Sequence, residues 1–458
     1  MAETTKNQID ALKVTGPVTG PGADGYDEER TGFQLLDPHR PEVLVGATNV
    51  DDVRAAVEFA AARGSRVAVQ ATGHGQIRAL DGGVLITTRR MSGVEVDPAA
   101  RTAWVEAGAT WHQVIEAAAP HGLAPLSGSF PGVGAVSYTL GGGIGLLARK
   151  YGFAADHVRR IDLVTADGRL REVTETSDPD LFWALRGGGG NFGVVTGMEI
   201  GLVPVSRIYG GGLFFDVGQV PEILAGWHRW AADLPEEMTA AVAMLPFPDL
   251  PMVPEPLRGK HIAQVQIAYT GSAEDGERLL GPVRALGPVV HDTVREVPFT
   301  ESGAVFDEPD RPHAYRSANL LVRDLDAPDM LTALTKAAGP SAPVMCVVGL
   351  RRLGGALARA PRIPNAVGHR DAGYSLGVLS PVEPGQQEAV RALHRDLLEP
   401  WSGQAMGRSL NFTYDELGAD EIAAAFAPAD HRRLTEIRAR HDPRAMFHVN
   451  HPILVPHK

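Results

Sequence analysis

Three short segments of this chain pair clustered glycine with a few polar side chains: ATGHGQ at residues 71–76, GSFPGVGAVSYTLGGGIG at 128–145 and GGGGNFG at 187–193. Glycine is costly in chain entropy, so clusters of it mark places where backbone must approach something closely. Backbone N–H groups in such loops bind anions without a positive side chain, and the phosphates of a dinucleotide are a frequent ligand. The first segment also carries His74, directly after Gly73. A neutral imidazole is nucleophilic near pH 7. Its plainer role would be a loop histidine hydrogen-bonded to phosphate or backbone. One glycine cluster would be explained by a tight turn; three, each flanked by strand or helix signals, ask for a ligand.

A nicotinamide dinucleotide is the obvious rival. Gly188, Gly190 and Gly193 spell G-x-G-x-x-G, and Gly143, Gly145 and Ala148 spell G-x-G-x-x-A. The first fails on context, because strand signals follow it where a helix is needed. The second opens a helical stretch, GLLARKYG, with Asp167 near the usual acidic distance. Yet SYTL before it is short and polar for a central parallel strand.

The elements that would hold these loops alternate along the first half. Residues 51–64 have helical spacing and a glycine stop. SRVAVQ, VLITT and TAWVEAG read as strands, and WHQVIEAAAPHG as a helix closed by Gly122. Two β-type runs flank Asp167-Gly168, a strong hairpin signal. DPDLFWALRGG is a short helix, and FGVVTGMEIGLVPV a further strand. Residues 1–40 are polar, rich in Gly and Pro, and read as a loose arm. Past Pro204 the glycine clusters stop and longer strands and helices follow. HRRLTEIRARHDPRAMF closes the chain with a helix stopped at Asp442-Pro443.

The chain has 458 residues, enough for two or three domains. Hydrophobic residues make up 44%, which argues against global disorder, and the net charge of −12 without any basic run argues against a nucleic-acid or anionic-membrane surface. The single cysteine, Cys346, lies in PVMCVVGL and reads as a small buried apolar residue; it can form neither an internal disulfide nor a multi-cysteine metal site. No metal site is expected. The N-terminus shows no signal-peptide pattern and no run of about 20 apolar residues exists, so a cytoplasmic protein is expected. Abundant Ala, Gly, Arg and Pro point to a bacterial source.

In the order of these features the chain resembles the FAD-binding domain of the vanillyl-alcohol-oxidase superfamily, and specifically its berberine-bridge branch. The likeness starts with RPEVLVGATNVDDVRAAVEFAAARGSRVAVQATGHG, runs through the hairpin to LFWALRGGGGNFGVVTGMEI, resumes at GHR (368–370) and ends with HDPRAMFHVNHPIL. The resemblance implies an α+β fold. A two-part PCMH-type FAD-binding domain would span 1–206, completed by 405–458. A substrate domain over 207–404 would present an antiparallel sheet backed by helices.

The resemblance also implies residue roles. His74 would carry the flavin at its 8α-methyl carbon. Ala71, Thr72, Gly73, Gly75 and Gln76 would cradle the pyrophosphate; Gly128, Ser129, Gly132 and Gly134 would follow the diphosphate and ribityl chain. Gly141, Gly142 and Gly145 would let a helix start come close. Val195, on the strand after Gly193, would meet adenine through its backbone, and Asn450 would lie near the isoalloxazine ring. Many members attach the flavin a second time through a cysteine. Phe130 stands at that place here, so a single covalent bond is expected. Val133 matches a position where a small side chain leaves room for O2, which implies an oxidase that makes hydrogen peroxide.

The implied reaction is hydride transfer from a substrate C–H to flavin N5. The catalytic base is where the pattern departs from the family. Of a Tyr-x-Asn-Tyr motif only Asn411 is kept, with Ser409 and Phe412 in the tyrosine positions. Tyr138, Tyr374, Tyr414 and His369 remain as candidates, and a base-free route for a neutral amine is open too. His369-Arg370 reads rather as a structural pair with the arginine satisfied by a carboxylate. Secondary-metabolite alcohols, amines and oxidised sugars are all open as substrates. So are a flavin dehydrogenase using another acceptor and a catalytically idle flavin carrier.

Overall fold

The computed structural model describes residues 12–455; the first stretch of the N-terminal arm lies outside it. Three sheets carry the molecule. The first joins β1 (Val18–Thr19), β2 (Val43–Gly46), β3 (Val67–Gln70) and β4 (Val84–Thr87) in the order β1-β2-β4-β3. Its three longer strands run parallel, as buried apolar runs joined by crossovers do. Before β2 lies α1 (Tyr26–Arg30), and α2 (Val50–Arg63) crosses over from β2 to β3. The sequence sets both ends of α2. Asn49 caps its start by accepting the Asp52 N–H, and Gly64 leaves it in the left-handed region at φ 64°. Val53 and Val57 then pack with Val45 and Ile86 in one core.

The second sheet has five antiparallel strands, β5 (Val94–Asp97), β6 (Thr102–Glu106), β7 (Val158–Val164), β8 (Leu170–Val173) and β9 (Val194–Gly201), in the order β5-β6-β9-β7-β8. The Asp167-Gly168 turn joins β7 to β8 as expected. Helices α3 (Trp111–Ala118), α4 (Ala135–Leu140), α5 (Ala148–Tyr151) and α6 (Pro179–Leu185) lie between these strands in the chain. Thr110 and Gln113 cap α3 reciprocally, and Trp111 and Phe182 are buried in the shared core. The stretch AVSYTL is helix, not strand. That removes the strand a nicotinamide fingerprint needs before Gly143, and the helix read from GLLARKYG shrinks to α5.

The third sheet has nine strands, all antiparallel. They are β10 (Arg207–Asp216), β11 (Met238–Pro246), β12 (His261–Tyr269), β13 (Val289–Asp292), β14 (Arg295–Pro298), β15 (Tyr315–Val322), β16 (Val347–Arg352), β17 (Tyr374–Pro381) and β18 (Ala405–Gly407). Helices α7 (Ile223–Ala232), α8 (Ala273–Arg284), α9 (Pro328–Ala337) and α10 (Gln387–Leu398) back one face. Trp227, Leu376, Leu334 and Trp401 are buried there. Cys346 is buried in the same core as a free thiol. Because side chains alternate along a strand, the opposite face is a separate surface. One register row on it runs Phe214, Gln264, Ala243, Gly349, Gly377 and Asn319 across six strands.

The described part of the segment read as a loose arm is ordered structure. Asp52 accepts hydrogen bonds from the Thr15 and Gly16 N–H groups, at 2.7 and 3.1 Å. Tyr26 is buried and donates to Pro41 O at 2.7 Å. Its partners lie far along the chain, so local composition could not reveal them. Among the described residues no helix is long and apolar enough to cross a membrane.

Several buried histidines hold the fold in its neutral form. His39 accepts the Leu80 N–H on Nδ1 at 2.8 Å, so that nitrogen carries no proton. Burial lowers His39, His394 and His451 from the usual 6.5 to about 4. Between those values the unfolded chain takes up protons that the folded one refuses, so stability drops as the pH falls from about 7 towards 4. The melting temperature is therefore expected to decline steadily over that range. His39→Gln, which keeps an acceptor but cannot titrate, should flatten the decline; an unchanged slope would contradict this.

Candidate active site and cofactor cleft

The free face of the nine-stranded sheet looks onto the three glycine loops across a cleft of about 1240 Å³. Pockets for a single small molecule run to about 300–1,000 Å³, so this one has room for a dinucleotide and a second molecule. Of the site residues expected from sequence, it gathers Ala71, Thr72, Gly73, His74, Gly75, Gln76, Gly128, Ser129, Val133, Gly141, Gly193, Val195 and Asn450, together with Tyr138 and Tyr414.

Other expected residues lie elsewhere. Gly132 borders a smaller cavity behind His74. Gly134, Gly142 and Gly145 do not line the cleft; they permit close packing beside it. A Cβ on Gly145 would sit 1.8 Å from Ser127 O. Tyr374 is packed against Trp227 and His228 with Arg352 over its ring, away from the cleft. His369 donates from Nε2 to Ala424 O at 2.8 Å, while Arg370 makes a two-pronged ion pair with Asp156 at 2.6 and 3.1 Å. That pair is structural.

The third glycine cluster reaches the cleft as well. Gly187, Gly188, Gly189 and Gly190 all border the cleft, with Asn191. A Cβ on Gly75 would meet nothing within 4 Å, and one on Gly189 or Gly190 only a single atom at 3.9 Å. Side chains there would fill the cleft itself. Asn191 fixes the turn, donating to Gly188 O at 2.9 Å and accepting from Ile453 N. Asn450 ties the last segment to the first loop, donating to Gly75 O at 2.6 Å and accepting from Ile77 N at 3.0 Å. Its polar atoms are thus engaged with backbone.

His74 sits where loop and sheet meet. Its Nδ1 is 2.8 Å from Thr72 Oγ1, and its Nε2 is buried without a hydrogen-bond partner. Burial, with a smaller push from His313, lowers its pKa to about 4. The ring is therefore neutral at pH 7, with one nitrogen left unsatisfied, which is costly unless something else engages it. Phe130 lies 5.5 Å away.

On the sheet side a polar group projects into the cleft among apolar walls. Glu308 faces the lumen beside Ser129 with its side chain open to the cleft, and the crowding protein around it raises its pKa from the ordinary glutamate value. Arg351 opposes that shift; it donates to Ile144 O at 2.9 Å and lies over the Phe306 and Phe412 rings. The Tyr138 hydroxyl is buried and unpartnered, and burial raises the pKa of both Tyr138 and Tyr414. Glu308, Arg351 and Tyr315 were missed in the sequence. Nothing local marks them, since each sits in an ordinary strand or loop far from the glycine motifs.

Comparison with known proteins agrees with this arrangement. Residues 41–174 match the family model of an FAD binding domain. Over 466 residues the chain is 28% identical to (R)-6-hydroxynicotine oxidase of Paenarthrobacter nicotinovorans, covering 96% of this chain and 97% of that protein. It is 33% identical over 240 residues to berberine bridge enzyme-like C-1 of Nicotiana tabacum, covering 50% of this chain and 42% of that one. The solved structure of 6-hydroxy-D-nicotine oxidase from Arthrobacter nicotinovorans superposes with a TM-score of 0.85 at 24% identity, over 97% of this chain and 98% of that one. Fold, cleft and family match together define an FAD-binding oxidoreductase. Within that class the chain is similar to the berberine-bridge-enzyme-like FAD-linked oxidoreductases.

The residues present fit FAD. Gly75, Gly189 and Gly190 leave backbone open to the cleft where its phosphates could approach, and His74 offers an unsatisfied nitrogen. Gly190→Val, which puts a branched side chain into the cleft, is expected to lower the flavin bound per protein severalfold while leaving the circular dichroism spectrum unchanged. Full flavin content in this variant would show that the third glycine loop does not face the cofactor.

Proposed function

We propose that the protein is an oxidase whose FAD is bonded to His74 alone, and that it oxidises a small-molecule alcohol or amine at a C–H bond. The observation that carries this reading is the neutral, partly unsatisfied imidazole held in the cleft by Thr72. Bound FAD would accept the hydride at N5 and pass the electrons to O2, giving hydrogen peroxide. The relatives named as oxidases of 6-hydroxynicotine and of oligosaccharides support both substrate classes.

Each residue's part follows from its place. The first loop, with Gln76, and the second, with Gly128 and Ser129, hold the diphosphate and ribityl chain; Gly193 and Val195 lie at the adenine end. Phe130 makes an aromatic wall where a second attachment would need a thiol. Val133 leaves space for O2. The segments 1–206 with 405–458 form the cofactor domain, and 207–404 the substrate domain; the short β18 at the boundary pairs with β15. The protein works in the cytoplasm of a bacterium, on a substrate of secondary metabolism.

Proton transfer falls to Glu308. Tyr138 and Tyr414 are pushed away from ionisation by burial, whereas a carboxylate ionises far more readily than a phenol and its raised pKa makes it a stronger base than a free one. The substrate's O–H or N–H would lie between Glu308 and the tyrosine hydroxyls. Arg351 helps keep Glu308 ionised. Protonation of Glu308 removes the base, so the rate should fall on the acid side of its raised pKa.

Acid precipitation of the purified protein is expected to give a yellow pellet. His74→Ala should release its colour into the supernatant or lack it. A white pellet from the unaltered protein would end the covalent reading. Anaerobic bleaching by a panel of alcohols and amines, followed by peroxide release in air, identifies the oxidase; bleaching reversed only by a dye would make it a dehydrogenase. Glu308→Gln should slow bleaching by about 10²-fold or more and abolish the acid limb. A retained limb would assign the proton to another group.

A further inference from the structure

Residues 32–35 form a strap between the first glycine loop and the start of β15. Phe33 N donates to Thr72 O at 2.9 Å and Gln34 N to Gly73 O at 3.2 Å. On the other side Leu35 N donates to His313 O, and His313 N to Phe33 O, both at 3.1 Å. Gln34 Nε2 donates to Tyr315 O at 2.8 Å, and the Tyr315 hydroxyl donates to His74 O at 2.5 Å. Strap and loop cross with no room to spare: a Cβ on Gly32 would lie 2.7 Å from Gly73 Cα. So held, the strap lays the Phe33 ring on the His74 imidazole, 3.9 Å between centroids and 15° from parallel. Phe33 borders both the main cleft and the cavity behind His74, and stands between them.

We propose that Phe33 is the positioning residue for His74, its stacked ring fixing the plane in which the imidazole meets the cofactor. This rests on the reading that His74 carries the flavin. A histidine ring on a glycine loop turns freely about its terminal torsion, which has broad minima. Thr72 restrains one nitrogen, but a single hydrogen bond leaves the ring able to swing about it. The face-to-face contact removes that motion, and Tyr315 anchors the histidine backbone from the opposite domain. Bond formation replaces one C–H of the 8α-methyl group and the imidazole N–H by a C–N bond. The two protons and two electrons so released reduce the flavin, which O2 then reoxidises. Only a nitrogen held in line with that carbon reacts efficiently, and a misplacement of about 1 Å costs on the order of 10²-fold in rate.

The test separates covalent from total flavin in Phe33→Leu, which keeps bulk but loses the stack, and Phe33→Tyr, which keeps both. Each protein is purified, supplied with FAD in air, and sampled over time by acid precipitation and intact mass; melting temperature is measured alongside. Phe33→Leu is expected to bind FAD yet become acid-stable on the order of 10²-fold more slowly, with Phe33→Tyr at the rate of the unaltered protein. Equal rates in Phe33→Leu would overturn the proposal. So would a parallel loss of total flavin and melting temperature, because Phe33 would then hold the loop and not the ring. If the unaltered protein itself never becomes acid-stable, the His74 attachment falls and this inference with it.

Discussion

Everything in the cleft depends on backbone being allowed to come close without side chains between. Gly32 crosses Gly73 at a distance that forbids even a methyl group, and Gly145 does the same against Ser127. Each approach costs chain entropy in glycine. Packing returns the stability that glycine gives up: the loops are pinned by parallel strands on one side and a strap on the other. An anionic dinucleotide can then be met by main-chain amides, in a protein whose net charge is −12. No cluster of lysines is needed.

The same closeness explains the electrostatics. Groups brought to the seam lose water, and their neutral forms are favoured. His74 is neutral for that reason, and Tyr138 and Tyr414 resist ionisation. Loss of water pushes Glu308 and Arg351 the same way, and the charge of each opposes the shift of the other. Opposite charges facing one cleft thereby offset part of the cost of losing water. The wall that needs to be apolar for substrate is thereby able to hold one proton acceptor.

Much of the first half was legible in the chain because its signals are local. The helix over Val50–Arg63 announces itself by spacing, cap and glycine stop; the Asp167-Gly168 hairpin by its turn; the three loops by composition. SYTL is too short and polar for a central strand, as the structure bears out, but four residues have no period of their own, and only the fold shows that they lie in the helix Ala135–Leu140. The described part of the arm before residue 40 is ordered where the sequence reads as loose. Its order comes from Asp52, Pro41 and the loop at residues 72–73, partners that local composition does not show. Tyr374 illustrates the limit on the substrate side. A tyrosine on a strand faces either the helices or the cleft, and only the register decides which.

That register is also where specificity resides. The row from Phe214 to Asn319 has side chains at its ends and is bare or nearly so between, at Ala243 and the adjacent Gly349 and Gly377. A Cβ on Gly349 would meet nothing within 4 Å, and one on Gly377 nothing closer than 3.8 Å. Neither glycine is demanded by a turn or by packing. Their absence of side chains therefore widens the cleft itself, opposite the loops that hold the cofactor. The fold would tolerate alanine at both places; the space available to a substrate ring would not. On the proposed reading the sheet would set the shape of what is oxidised and the glycine loops would hold the group that oxidises it, and the strap at residues 32–35 ties loop to sheet.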